Sequence, residues 1–309
     1  MLASIFHDLG GTLPTNLLRP SLTNTRGFNE SWHWISANEE ILKKMNLTWD
    51  SPLPSSPIIE SNSFIEKNTD LVIQSLKSGF EKNLGSSCQL IIKDPRICRT
   101  FPIWESAVCE MKFSYNVFLP VRHPFEVISS LGKRDGMKPI HGCYIWLWNV
   151  IESLIFTSHL SPKFVIYKYV LENPSSYLPN ILDCKVPSKS IIKIDKSLNH
   201  NQDSKNIFSK KEEPFMLAHR LYKKIILLKK PDQELIDFAK SFRLHILQQS
   251  TFFTRDIKKI NLGLKRTVRK QKSNCSHKER KITIAASKSF EKKDDKHTQN
   301  LNFIRKFFK

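Results

Sequence analysis

Two apolar runs in this chain end in residues that can hold and use an anion. Cys88-Gln89-Leu90-Ile91-Ile92 leads into Lys93-Asp94-Pro95-Arg96, and Asn116-Val117-Phe118-Leu119-Pro120-Val121 leads into Arg122-His123-Pro124. An arginine offers a planar fork that gives a phosphate two hydrogen bonds, and a serine such as Ser130, eight residues beyond Arg122, can donate to another oxygen. A lysine at the end of the first run can neutralise negative charge that builds on a leaving oxygen. A third candidate, Glu30, closes the stretch Asn24-Thr25-Arg26-Gly27-Phe28-Asn29-Glu30. A carboxylate beside a hydroxyl can take its proton when burial tunes the pKa. Plainer readings stand beside each of these. Lys93 can be solvated at a turn punctuated by Asp94-Pro95, Arg122 and Ser130 can be unrelated surface and helix residues, and Glu30 can belong to a solvated loop.

For such residues to act on one ligand, they must sit at the carboxyl ends of parallel strands, where open α/β sheets bind. The pattern of apolar residues predicts those strands. Residues 88–93 and 116–121 fit short buried strands, and Lys163-Phe164-Val165-Ile166-Tyr167-Lys168-Tyr169 fits a third. Helical spacing predicts helices over about 1–9, 34–46, 64–84, 101–111, 124–134, 139–159, 215–229 and 231–249. The proline-rich stretch 51–57 reads as a stiff polar connection, and 189–212 as a loop. Strand–helix–strand alternation at this spacing predicts an α/β fold with a parallel sheet flanked by helices.

The phrase Arg122-His123-Pro124-Phe125-Glu126-Val127-Ile128-Ser129-Ser130-Leu131 resembles the RHP-x-EV-x-xSL block of bacterial sulfotransferases. Lys93-Asp94-Pro95-Arg96 is similar to the KDPR block of the same family and to the KDP of protein-tyrosine sulfotransferases. The stretch ending in Glu30 resembles the family's N-x-x-GF-x-E segment. Residues 164–174 and 194–200 resemble two later family phrases, so the resemblance covers roughly residues 1–230. It implies a sheet of the P-loop-nucleotide-binding type and the sulfuryl donor 3′-phosphoadenosine-5′-phosphosulfate (PAPS). It also implies a hydroxyl or amine acceptor. By the same resemblance Arg122 and Ser130 bind the 3′-phosphate, Lys93 stabilises the leaving group, Glu30 is the base, and Arg96 reaches the acceptor or supports the site. No metal is implied. Cytosolic small-molecule sulfotransferases carry a catalytic His two residues after the Lys; here Pro95 stands there, which rules out a base on that pattern. The acceptor is not encoded: carbohydrate, lipid and peptide hydroxyls all fit.

Met1-Leu2-Ala3-Ser4-Ile5-Phe6-His7-Asp8-Leu9-Gly10-Gly11 resembles the family helix that follows the phosphosulfate-binding loop G-x-x-RSGTS. The expectation is therefore a fold without its first strand and that loop. It has three readings: a start codon set too late, a frameshifted or degenerate gene, or a loopless binding protein. Loss of a central strand leaves unpaired ladder groups, which favours the first two. The alternatives to an enzyme are a non-catalytic remnant or nucleotide-binding protein of the same fold, and a basic-tailed protein that interacts with nucleic acid.

Composition sets the remaining bounds. The chain has 309 residues and a net charge of +20, unevenly spread. Residues 255–309 hold 18 Lys/Arg against 5 Asp/Glu, a net +13, and residues 1–254 hold 31 against 24, a net +7. The expected organisation is an α/β domain over 1–254 and a basic, disordered tail over 255–309. That tail can attract nucleic acid or another anionic surface. No apolar run is long enough to span a membrane. The amino terminus lacks the pattern of a signal peptide, and six cysteines without CxxC spacing fit reduced thiols. Both features point to the cytoplasm.

Overall fold

The computed structural model describes residues 1–20, 27–81, 84, 89–183, 185, 186, 188 and 213–248. The chain divides into two compact units, Met1–Arg243 and Leu244–Lys309, and the first carries every contact discussed below. The expected loop at 189–212 and the expected tail at 255–309 lie outside the described residues.

The chain is α/β, mostly helical, around a small parallel sheet of two strands, β1 (Phe118–Val121) and β2 (Lys163–Ile166). Their register pairs Phe118 with Lys163 and Val121 with Ile166. Between them run α5 (Pro124–Asp135) and α6 (Pro139–Phe156), which make the long crossover a parallel pair requires. Proline opens both helices at a position where no N–H is needed. The His123 ring caps α5 by accepting the Phe125 N–H at 3.3 Å, and Gly136 ends it in the left-handed conformation.

Before β1 come α1 (Leu2–Asp8), α2 (Trp32–Lys44), α3 (Asn62–Phe80) and α4 (Ile97–Glu110). Ser31 and Ser61 cap α2 and α3 with their hydroxyls. After β2 come α7 (Tyr167–Glu172), α8 (Pro174–Leu182), α9 (Glu213–Ile225) and α10 (Gln233–Gln248). One apolar cluster joins Ile5 of α1 to Val165 of β2 and to Val170, Leu171, Leu178 and Ile181 of α7 and α8. Phe6 closes it against Phe118, ring centroids 5.0 Å apart. A second centre is α6, whose Tyr144, Trp148 and Ile151 are fully buried; it packs against α4, α5 and α9.

Two expected strands change. Of the run 88–93, the described residues 89–93 bridge Thr12 in parallel at Leu90 and form no ladder. The expected strand 163–169 stops at Ile166, and Tyr167-Lys168-Tyr169 turns into α7. The Tyr177 hydroxyl takes the Ile166 N–H at 2.8 Å and so ends the ladder there.

Candidate functional site

Glu30 is fixed before its side chain does anything. Leu18 N–H donates to the Glu30 carbonyl at 2.7 Å, and Trp32 N–H donates to the Asn16 carbonyl at 3.0 Å. Asn29 takes a left-handed backbone, φ 52°, which asparagine tolerates better than most residues. This local turn buries the Glu30 carboxylate, 6% exposed.

Lys93 comes from the other side of the fold and donates to that carboxylate and to the Phe28 carbonyl, the latter at 3.1 Å. Its side chain stays 40% exposed, so the ammonium bridges a buried carboxylate and solvent. Arg96 completes the group. Its Nε donates to Glu39 Oε1 at 2.7 Å, its Nη1 donates to Asp94 Oδ1 at 3.1 Å, and Nη1 lies 3.9 Å from Glu30 Oε2. Burial works against the Arg96 charge, but Asp94 and Glu39 outweigh it and leave its pKa above the ordinary value. Asp94 also accepts the Arg96 N–H at 2.8 Å, which shapes the turn after the Lys93 run. Lys93, Glu30 and Arg96 thus meet in one network, with the three carboxylates Glu30, Glu39 and Asp94 around Arg96.

Arg122 belongs to a second cluster. Because Val121 pairs with Ile166, the residues that follow each strand are neighbours, and the Arg122 guanidinium lies 4.5 Å from the Tyr167 ring centroid. Its Nε donates to Glu126 Oε2 at 2.7 Å. Its carbonyl accepts the Trp146 indole N–H at 3.0 Å. Ser130, half-buried, lies one turn beyond Glu126 on the same face of α5. The Tyr222 ring packs edge-on against His123, 4.7 Å between centroids, and burial, with Glu126 nearby, pushes its phenol up to about 12.

Each cluster sets a cation, paired with a carboxylate, at the end of an apolar run. Lys93 can stabilise an anion and exchange a proton with Glu30; Arg122 can divide its guanidinium between Glu126 and an incoming oxyanion. A cavity of about 310 Å³ lies elsewhere, at the amino ends of β1 and β2, lined by Tyr115, Val117, Lys163 and Asp183 among others. Sequence reasoning missed Glu39, Glu126 and Tyr167. The Arg122–Glu126 spacing of four was a readable signal, whereas nothing local tied Glu39 to Arg96. Among the described residues no group of His, Cys, Asp and Glu side chains is arranged to hold a metal ion. No protein-family model matches the chain, and no curated protein and no solved structure matches it.

Proposed function

We propose that this chain is a sulfotransferase-like protein that moves a sulfuryl group from 3′-phosphoadenosine-5′-phosphosulfate to a hydroxyl or amine acceptor by in-line displacement. The observation that carries the reading is the Lys93–Glu30 contact. Two residues 63 apart in sequence, each singled out for a role in one reaction, are bonded to each other. The donor supplies an activated sulfuryl group. Lys93 neutralises charge on the oxygen that leaves, Glu30 accepts the acceptor's proton, and Arg96 holds the Glu30 carboxylate in position. Arg122 and Ser130 bind the 3′-phosphate, with Glu126 and Tyr167 orienting the guanidinium. The donor set fits an anionic nucleotide, since cations stand at both clusters and the Arg122 guanidinium lies over the Tyr167 ring.

The same contact favours a second reading, nucleotide binding without transfer. Glu30 is buried and engaged by Lys93, so it accepts a proton only after that bond opens. Calorimetry with 3′-phosphoadenosine 5′-phosphate tests the shared part. Arg122→Ala is expected to abolish binding, and unchanged affinity would remove Arg122 from the site. Transfer of labelled sulfate separates the two readings: turnover by the unaltered chain that is lost in Glu30→Gln with binding retained supports the enzyme. Binding without turnover supports the other.

A further inference from the structure

The connection between α9 and α10 carries an apolar side chain that the fold holds in water. Leu227 is 83% exposed, and the next most exposed large apolar side chain among the described residues is at 56%. Single exposed leucines are ordinary; one that is braced outward is not. Ile225, two residues before, is fully buried, and the Leu228 N–H returns to its carbonyl at 3.0 Å. The Ile226 carbonyl accepts from the Tyr169 hydroxyl at 3.5 Å, and the Lys229 carbonyl accepts the Phe164 N–H of β2 at 2.9 Å. Both flanks of Leu227 are thus tied to β2 and α7, which holds the turn that carries it.

Lysines surround this tip. Lys223, Lys229 and Lys230 are exposed, while Lys224 is partly covered and paired with Glu234. The neighbouring acid, Asp232, is committed to capping α10 through the Leu235 N–H at 2.8 Å. The turn therefore presents one exposed aliphatic side chain with three exposed lysines within four residues of it in the chain. We propose that it docks on an anionic phospholipid bilayer, with Leu227 entering the interfacial layer and Lys223, Lys229 and Lys230 against the lipid phosphates. Charge complementarity selects this occupant, and the aliphatic tip separates it from nucleic acid, which rewards lysines but gives an isolated leucine nothing to enter. The inference is independent of the roles given to Lys93 and Arg122.

The test is sedimentation of the full chain with vesicles of phosphatidylcholine alone or with added phosphatidylserine. Binding is expected only with phosphatidylserine. Leu227→Asp is expected to weaken it by about tenfold, and replacement of Lys223, Lys229 and Lys230 by Gln by about a hundredfold. Leu227→Trp is expected to bind at least as well and to show blue-shifted emission on the vesicles. All four positions are on the surface, and circular dichroism checks that each variant folds. No binding, equal binding to neutral vesicles, or binding that Leu227→Asp leaves unchanged would overturn the proposal; the last result would assign the attraction to the basic residues 255–309. Displacement by duplex DNA with no dependence on Leu227 would overturn it as well.

Discussion

Lys93 is the counter-charge of a carboxylate that has almost no access to water, and its own head group is partly in solvent. Removing either partner alone has different consequences. Lys93→Ala leaves Glu30 buried with Arg96 Nη1 at 3.9 Å as its remaining cation, and is expected to cost about 1–3 kcal/mol in urea denaturation. Glu30→Ala removes the buried charge, so the double variant is expected to be more stable than the two single losses predict. Strict additivity would show that the pair is not coupled in solution. Arg96 differs from both: it acts as a strut whose loss takes the cation from Asp94 and Glu39, while Glu30 keeps Lys93.

Among the elements, α1 is short and depends on one close approach. A Cβ placed on Gly11 would lie 2.8 Å from Ile91 Cδ1 and 2.9 Å from the Phe6 carbonyl oxygen. Gly11→Ala is therefore expected to destabilise the chain by about 1–3 kcal/mol in thermal or urea melts. Shortening Ile91 to Val should recover only part of that, since the Phe6 oxygen belongs to the backbone. The helices were largely legible because serine caps, prolines at the first turn and apolar spacing agree with one another, as at Ser31, Ser61 and Pro124. The run ending at Lys93 was not legible as it folds, because a short apolar run gives no sign of whether a neighbour will pair with it. Tyr167-Lys168-Tyr169 misled for a related reason. Aromatic residues favour strands, but a hydroxyl ten residues further along, on Tyr177, closes β2 before them. In the candidate site, Lys93, Glu30, Arg96 and Arg122 were readable from residue type and context. Glu39 was not, because its link to Arg96 spans 57 residues and no local pattern encodes it.

At the scale of the whole molecule, Glu152 ties separate parts of the chain together. Fully buried in α6, it accepts the N–H and the hydroxyl of Ser55, the latter at 2.8 Å, and Arg243 of α10 approaches to 3.9 Å. Arg99 holds the same connection by donating to the Leu53 and Ser51 carbonyls. Burial raises the Glu152 pKa above its ordinary 4.5, although Arg99, Ser55 and Arg243 pull it down. A carboxyl with a higher pKa in the folded chain binds its proton more tightly there. Its contribution is complete below about pH 4.5 and is lost as pH rises through the raised value. Urea midpoints measured across that window are expected to fall with rising pH in the unaltered chain and to flatten in Glu152→Gln. Glu152→Ala, which takes the acceptor from the buried Ser55 N–H, is expected to cost about 1–3 kcal/mol.

The hydrogen bond from the Trp146 indole to the Arg122 carbonyl gives the molecule an optical reporter of its own. The fluorophore sits in buried α6, yet its polar atom is fastened to the backbone of the residue proposed to bind phosphate. Any ligand that draws Arg122 away from its resting place must alter the environment of that indole. Capture of an anion at the strand end can thus be read as a change in intrinsic emission, with no label attached and no turnover required.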